Sequence, residues 1–142
     1  MARVVFELPD QLGFSTEVQV YISHVNQGGH LDNAQLLSLV SEARVRFFQN
    51  LGYAEADVAG VSTVVGDIVS QYKSEAFHGE TLRVSMGPAD FNPYGFDLLF
   101  HMVEVSQQRE VARGKIGIVF IDQESRRPTA IPAAVHQSLL KV

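Results

Sequence analysis

The chain reads as an α+β protein in which an antiparallel sheet wraps around one long central helix. Three observations point there. Residues 15–22 (STEVQVYI) alternate Val18, Val20 and Ile22 against Glu17, Gln19 and Tyr21, the period-two pattern of a strand. A single long amphipathic stretch follows, starting at Asp32 and stopping at Gly52. From Gly60 onward the pattern is strand after strand with short polar turns between. The length of 142 residues suits one domain, taken as 1–142.

Before the first alternating strand, residues 1–6 form a short β-prone run closed by Pro9 and Gly13. After that strand, the loop 23–31 contains Gly28 and Gly29, which permit backbone conformations other residues avoid and so let a ligand approach closely. Asp32 is a suitable N-cap, and Gln35 stands where a capping-box partner belongs. Leu36, Val40, Ala43, Phe47 and Leu51 recur at helical spacing as one buried stripe, and Gly52 suits the C-terminal end.

Residues 61–72 are rich in β-branched side chains, with Gly66 a candidate bulge. A turn at His78-Gly79 precedes the alternating strand 81–86, and the segment GPADFNPYG reads as a loop of turn formers. Residues 96–105 (FDLLFHMVEV) read as apolar on both faces, as a central strand would be. A turn at 107–110 leads to the alternating strand 111–122. Ser125 to Pro128 makes a polar turn, and Pro132 opens a short C-terminal helix. A sheet with one helix has a second face to cover, so the apolar later strands predict a subunit interface and a homo-oligomer.

Composition narrows the function classes. A net charge of −5 gives no bulk electrostatic reason to bind nucleic acid. Without cysteine there is no disulfide, no thiolate nucleophile and no Cys-based zinc site. The histidines have no spacing that supports a metal, so none is expected. The apolar run before Glu7 and Pro9 is too short for a signal peptide, and no segment approaches membrane-spanning length. A cytoplasmic protein that does not engage a membrane is the expectation.

The order of elements, together with Asn26-Gln27-Gly28-Gly29-His30, Leu31-Asp32-Asn33-Ala34 and Glu42-Ala43-Arg44, resembles the hotdog-fold acyl-CoA thioesterases of the 4-hydroxybenzoyl-CoA thioesterase type. The segments IVSQYKSEAFHGETLRV and VARGKIGIVFIDQESRRPTAIP agree as well. The resemblance covers nearly the whole chain. It implies a hotdog homodimer, often a dimer of dimers, that hydrolyses an acyl-CoA or acyl-carrier-protein thioester at the N-terminus of the long helix. It implies no cofactor, since coenzyme A is part of the substrate. A helix start suits that chemistry because its unpaired N–H groups and partial positive charge stabilise the oxyanion formed when a thioester is attacked.

At the position of the family's catalytic Asp this chain has Asn26, whose amide cannot act as a general base but can position a water or bond the substrate carbonyl. His30 reads either as the base that activates water or as a loop histidine that pins the start of the helix. Glu42 reads either as a carboxylate facing the site of the partner subunit or as the ion-pair partner of Arg46, four residues on. Gly29, Leu31 and Asn33 are candidates for substrate contact. Arg113 and Arg126 come from a basic group (with Arg109, Lys115 and Arg127) that suits the phosphates of coenzyme A. Hotdog hydratases require Asp-x-Asn-x-x-His; here Asn26 and His30 are four apart and His24 holds the Asp position, so that pattern is not met. The alternative is a non-catalytic dimer that binds an acyl thioester or a protein partner.

Overall fold

The computed structural model describes residues 3–142. Five antiparallel strands form one sheet: β1 (Phe14–Gln19), β2 (Ser62–Tyr72), β3 (Thr81–Asn92), β4 (Gly95–Glu104) and β5 (Arg109–Ile121), in the order β1-β3-β4-β5-β2. Helix α1 (Asn33–Asn50) lies in the concave face, and α2 (Ala133–Leu140) closes one end of the core. Neither described helix is long and apolar enough to cross a membrane. Of the β-prone run 1–6, residues 1–2 lie outside the described residues and 3–6 form no strand.

Helix α1 begins and ends where its sequence signals stand. The Asp32 carboxylate accepts from the N–H groups of Ala34 at 3.0 Å and Gln35 at 3.3 Å. The expected capping box does not form, because the Asp32 N–H already donates to the His24 carbonyl at 2.9 Å. Gly52 follows the helix with a φ of +91°, a left-handed conformation that glycine adopts without strain. The buried stripe is wider than the one read from the sequence. Leu39 and Phe48 join Leu36, Val40, Ala43 and Phe47, whereas Leu51 is only half-buried. Each fully buried phenylalanine here contributes about 1.5–3 kcal/mol, and Phe47 sits edge-on between Phe14 of β1 and Phe48.

Two strand boundaries differ from the sequence expectation. β1 stops at Gln19, although Val20 stays fully buried and bonds Glu80 and Gly79 through its backbone; a 3-10 turn, Ile22–His24, then leads into the loop. β3 continues through the segment read as a loop and reaches Asn92, with a register shift between Ala89 and Asn92 and Asp90 at φ +50°. Pro88 is tolerated in it because β1 ends opposite Met86, so Pro88 lies where β3 has a strand neighbour on one side only. Gly66 is the expected bulge, at the register shift between Val65 and Asp67.

The convex face mixes apolar and polar residues. Strand β4 buries Phe96, Leu98, Phe100 and Met102 toward the helix. Its other side carries Asp97 and His101 among Leu99 and Val103, and β5 supplies partners for both polar residues. Lys115 bonds Asp67 at 2.7 Å and Asp97 at 3.1 Å, and burial, which lowers its pKa, is outweighed by these carboxylates, which raise it. His101 meets Glu110 at 2.6 Å. The N-terminal segment crosses the same face, where Phe6 accepts from Arg113 through its carbonyl and donates to Gln71 through its N–H, each at 3.1 Å. These charges are paired within the chain.

Candidate active site

The loop between β1 and α1 is a small closed structure. Val25 and Leu31 bridge as an antiparallel pair, the Asn26 N–H donates to the His30 carbonyl at 3.0 Å, and the Gly29 N–H donates to the Asn26 carbonyl at 3.0 Å. The Asn26 side-chain oxygen accepts from the Gly28 N–H at 2.9 Å, an Asx turn that fixes the bend. Gly29 supplies the positive φ, +86°, that the turn requires. The Leu31 N–H donates to the Ala76 carbonyl at 2.7 Å, which ties the loop to the connection between β2 and β3.

That tie creates a pocket of 310 Å³ at the N-terminus of α1, at the small end of the range for ligand sites. Leu31, Leu36, Ala76 and Val111 make its apolar wall; Asn26, His30, Asn33, Tyr72, Lys73, Ser74 and Glu75 supply its polar groups. Among the described residues the Asn33 N–H, first of the helix, has no acceptor, while Asp32 takes the next two amides. The Asn26 amide nitrogen likewise has no acceptor among the described residues, its oxygen being held by Gly28. His30 Nδ1 stands 3.3 Å from the Leu31 carbonyl, and Nε2 stands 3.8 Å from a Glu75 carboxylate oxygen. With the proton on Nδ1, where the carbonyl can accept it, Nε2 offers a lone pair to the pocket.

Residues 20–139 match the model of the thioesterase-like superfamily. The chain belongs to that superfamily. Among solved structures it is similar to the 1,4-dihydroxy-2-naphthoyl-CoA thioesterase of Synechocystis, with a TM-score of 0.82 at 17% identity over 91% of this chain and 96% of that one. It is also similar to the DHNA-CoA thioesterase of Staphylococcus aureus, with a TM-score of 0.80 at 17% identity over 89% of this chain and 88% of that one. No curated protein sequence matches it. The sheet wrapped on α1 is therefore the hotdog fold.

In this superfamily member the structure brings together Asn26, His30, Leu31 and Asn33 at one pocket, with Gly29 in the turn beside them. It does not bring the others there. Glu42 lines a separate cleft with Tyr21, His24 and Arg46, and its carboxylate accepts from Arg46 at 2.8 Å. Arg46 also donates to the Thr16 hydroxyl and the Glu17 carbonyl, so the pair fastens α1 to β1. Arg113 lies in the convex-face network, held by Glu110 and Phe6. Arg126 stands exposed at φ +62° in the turn after β5. His24 is architectural: Nδ1 accepts from the Tyr21 N–H at 3.0 Å, and its ring stacks on Tyr21.

Sequence reasoning passed over Tyr72 and Glu75. Tyr72 reaches from the end of β2 to the Asn33 carbonyl, at 3.4 Å, and forms one wall of the pocket. Both residues lie in stretches that read as strand end and turn, and no spacing links them to the Asn26–Asn33 loop.

Proposed function

We propose that this superfamily member hydrolyses an acyl-CoA or acyl-carrier-protein thioester to the free acid and thiol, in the cytoplasm. The observation that carries the reading is the pocket at the start of α1, where free donors, a histidine base and an apolar wall converge. The acyl group lies against Leu31, Leu36, Ala76 and Val111. The thioester carbonyl faces the Asn33 N–H, which stabilises the oxyanion as water attacks, and the Asn26 side chain borders it. The Synechocystis structure with the same fold is that of an enzyme acting on an acyl-CoA, which supports the substrate class.

A homodimer belongs to this reading. β2 is an edge strand of eleven residues, and Val64, Val65, Ile68 and Tyr72 along it are 36–48% exposed. A long, apolar, unpaired edge invites pairing with a second copy. The pocket draws Tyr72 and Lys73 from the end of that strand and would open beside the interface. Any joining of dimers into a dimer of dimers belongs to the same reading.

A second reading, a dimer that binds an acyl thioester without cleaving it, is favoured by one contact: the Asn26 oxygen is committed to the Asx turn, so the residue in the family's carboxylate position serves the loop. A panel of short, medium, long and aromatic acyl-CoAs separates the two. Thiol release above background supports the hydrolase, and binding of an acyl-CoA with no release from any member leaves the binding module.

A further inference from the structure

We propose that Glu75 and His30 jointly hold the attacking water, with His30 Nε2 as the base and the Glu75 carboxylate as the charge that stabilises the imidazolium so formed. This rests on reading the pocket as a thioester hydrolase site. It assigns the negative charge that Asn26 cannot provide to the connection between β2 and β3.

Elimination singles out Glu75. Asp32 is spent on the helix amides, Glu42 on Arg46, Glu55 on Arg44, and Glu110 on Arg113 and His101. Glu80 accepts from the Phe77 N–H at 2.7 Å and from Arg109. Among the described residues the Glu75 carboxylate accepts no hydrogen bond, yet it lies 3.8 Å from His30 Nε2 at the mouth of the pocket. Its backbone is nonetheless held firmly. The Ser74 hydroxyl donates to the Glu110 carbonyl at 2.6 Å, the Glu75 carbonyl accepts from Arg109, and the Ala76 carbonyl accepts from Leu31. A free side chain on a fixed backbone is how a site presents a group to substrate.

The chemistry closes on these atoms. Two acceptors 3.8 Å apart can share one water at about 2.8 Å from each, which donates one proton to Nε2 and the other to the carboxylate. As the water oxygen bonds to the thioester carbon, its O–H bond breaks and the proton passes to Nε2. The carbonyl electrons move to the oxyanion at the Asn33 N–H. Collapse breaks the C–S bond, and the imidazolium returns the proton to the departing thiolate, giving acid and thiol. Glu75 keeps its negative charge throughout.

The test uses the best acyl-CoA of the panel and the full-length protein, comparing wild type, Glu75→Gln and Glu75→Asp at saturating substrate and at low and high salt. Because the Glu75 side chain is 62% exposed, its field is screened, and the expected loss of kcat in Glu75→Gln is about tenfold with KM little changed. Glu75→Asp recovers part of the rate. The gap to wild type narrows at about 1 M salt, where the Debye length is about 3 Å. A Glu75→Gln protein as fast as wild type at every salt concentration overturns the proposal and leaves the hydrolase reading standing. So does a loss that ignores salt and is not relieved by aspartate. A wild type that cleaves no member of the panel overturns both.

Discussion

His101 lies 2.6 Å from Glu110 on the convex face, and His30 lies 3.8 Å from Glu75 at the pocket mouth. The first pair is tightly held through one oxygen, Glu110 Oε2. Glu110 also takes two bonds from Arg113, at 2.6 and 3.0 Å, while Arg113 reaches the Phe6 carbonyl and straps the N-terminal segment to the sheet. Burial raises the Glu110 pKa, but Arg113 and His101 outweigh it and hold the carboxyl below its ordinary range. The second pair is loose. Among the described residues nothing else bonds the Glu75 carboxylate, and the ring of His30 is held through Nδ1 alone. A carboxylate held by an arginine and a histidine serves architecture, whereas one that accepts no hydrogen bond beside a pocket is available to a substrate or a water.

The comparison breaks most sharply at His30. His30→Gln lowers kcat on a cleaved acyl-CoA by about 10²–10⁴-fold, the range for loss of a general base, with the urea unfolding midpoint nearly unchanged. Unaltered turnover would make His30 a structural residue like its counterpart on the sheet.

Glu110→Gln acts in the opposite currency. It costs about 1–2 kcal/mol of stability, read as a lower denaturation midpoint, with turnover per folded molecule preserved. The pH sign is fixed by the depressed carboxyl: stability is present above the unfolded-state pKa of Glu110 and is lost as pH falls through its lower folded-state value. Glu104, whose carboxyl is held low by the Ser106 hydroxyl and by the N–H groups of Gln107 and Ser106, adds to the same acid loss. The wild type is therefore expected to lose stability on acidification, and Glu110→Gln to lose it less steeply. A variant with the same acid slope would mean that the pair is not where the acid sensitivity resides.

Gly28→Ala sharpens the loose pair without touching its charges. A Cβ there would stand 3.1 Å from His30 Nε2 and 3.2 Å from the Asn26 side-chain oxygen, so the ring must shift by a few tenths of an ångström. Turnover is expected to fall about tenfold, less than the loss a full ångström of misplacement brings, and thermal stability to hold. The smallest effect is expected from Asn26→Asp. The Asx turn survives with a carboxylate oxygen accepting from Gly28, and the new charge faces the pocket, so hydrolysis is preserved or raised. Collapse of activity in a folded protein would show that the amide nitrogen is required at the oxyanion.

Much of this was legible in the chain. The Asp32 cap, the apolar stripe and Gly52 mark α1 because caps and periodicity are local signals. Asn26, His30, Leu31 and Asn33 could be read as one site because they are neighbours in sequence. Glu75 could not, since it reaches the pocket only through the Leu31–Ala76 bond and the pairing of β2 with β5, both of which are long-range. The ion pairs of the convex face were hidden for a related reason. Asp97 and His101 interrupt an apolar run, and only the register with β5 shows that Lys115 and Glu110 stand ready to pair with them. Glu42 and Arg46 carried the spacing of a helical ion pair, and the structure gives them that contact.

The division between the two pairs is tested most directly by measuring kcat for His30→Gln and His101→Gln side by side, on the acyl-CoA the wild type cleaves best. The account predicts that the His30 variant loses nearly all turnover while folded, and that the His101 variant turns over like wild type but unfolds at a lower denaturant concentration. Equal turnover in the two variants, or a loss confined to the His101 variant, would contradict it.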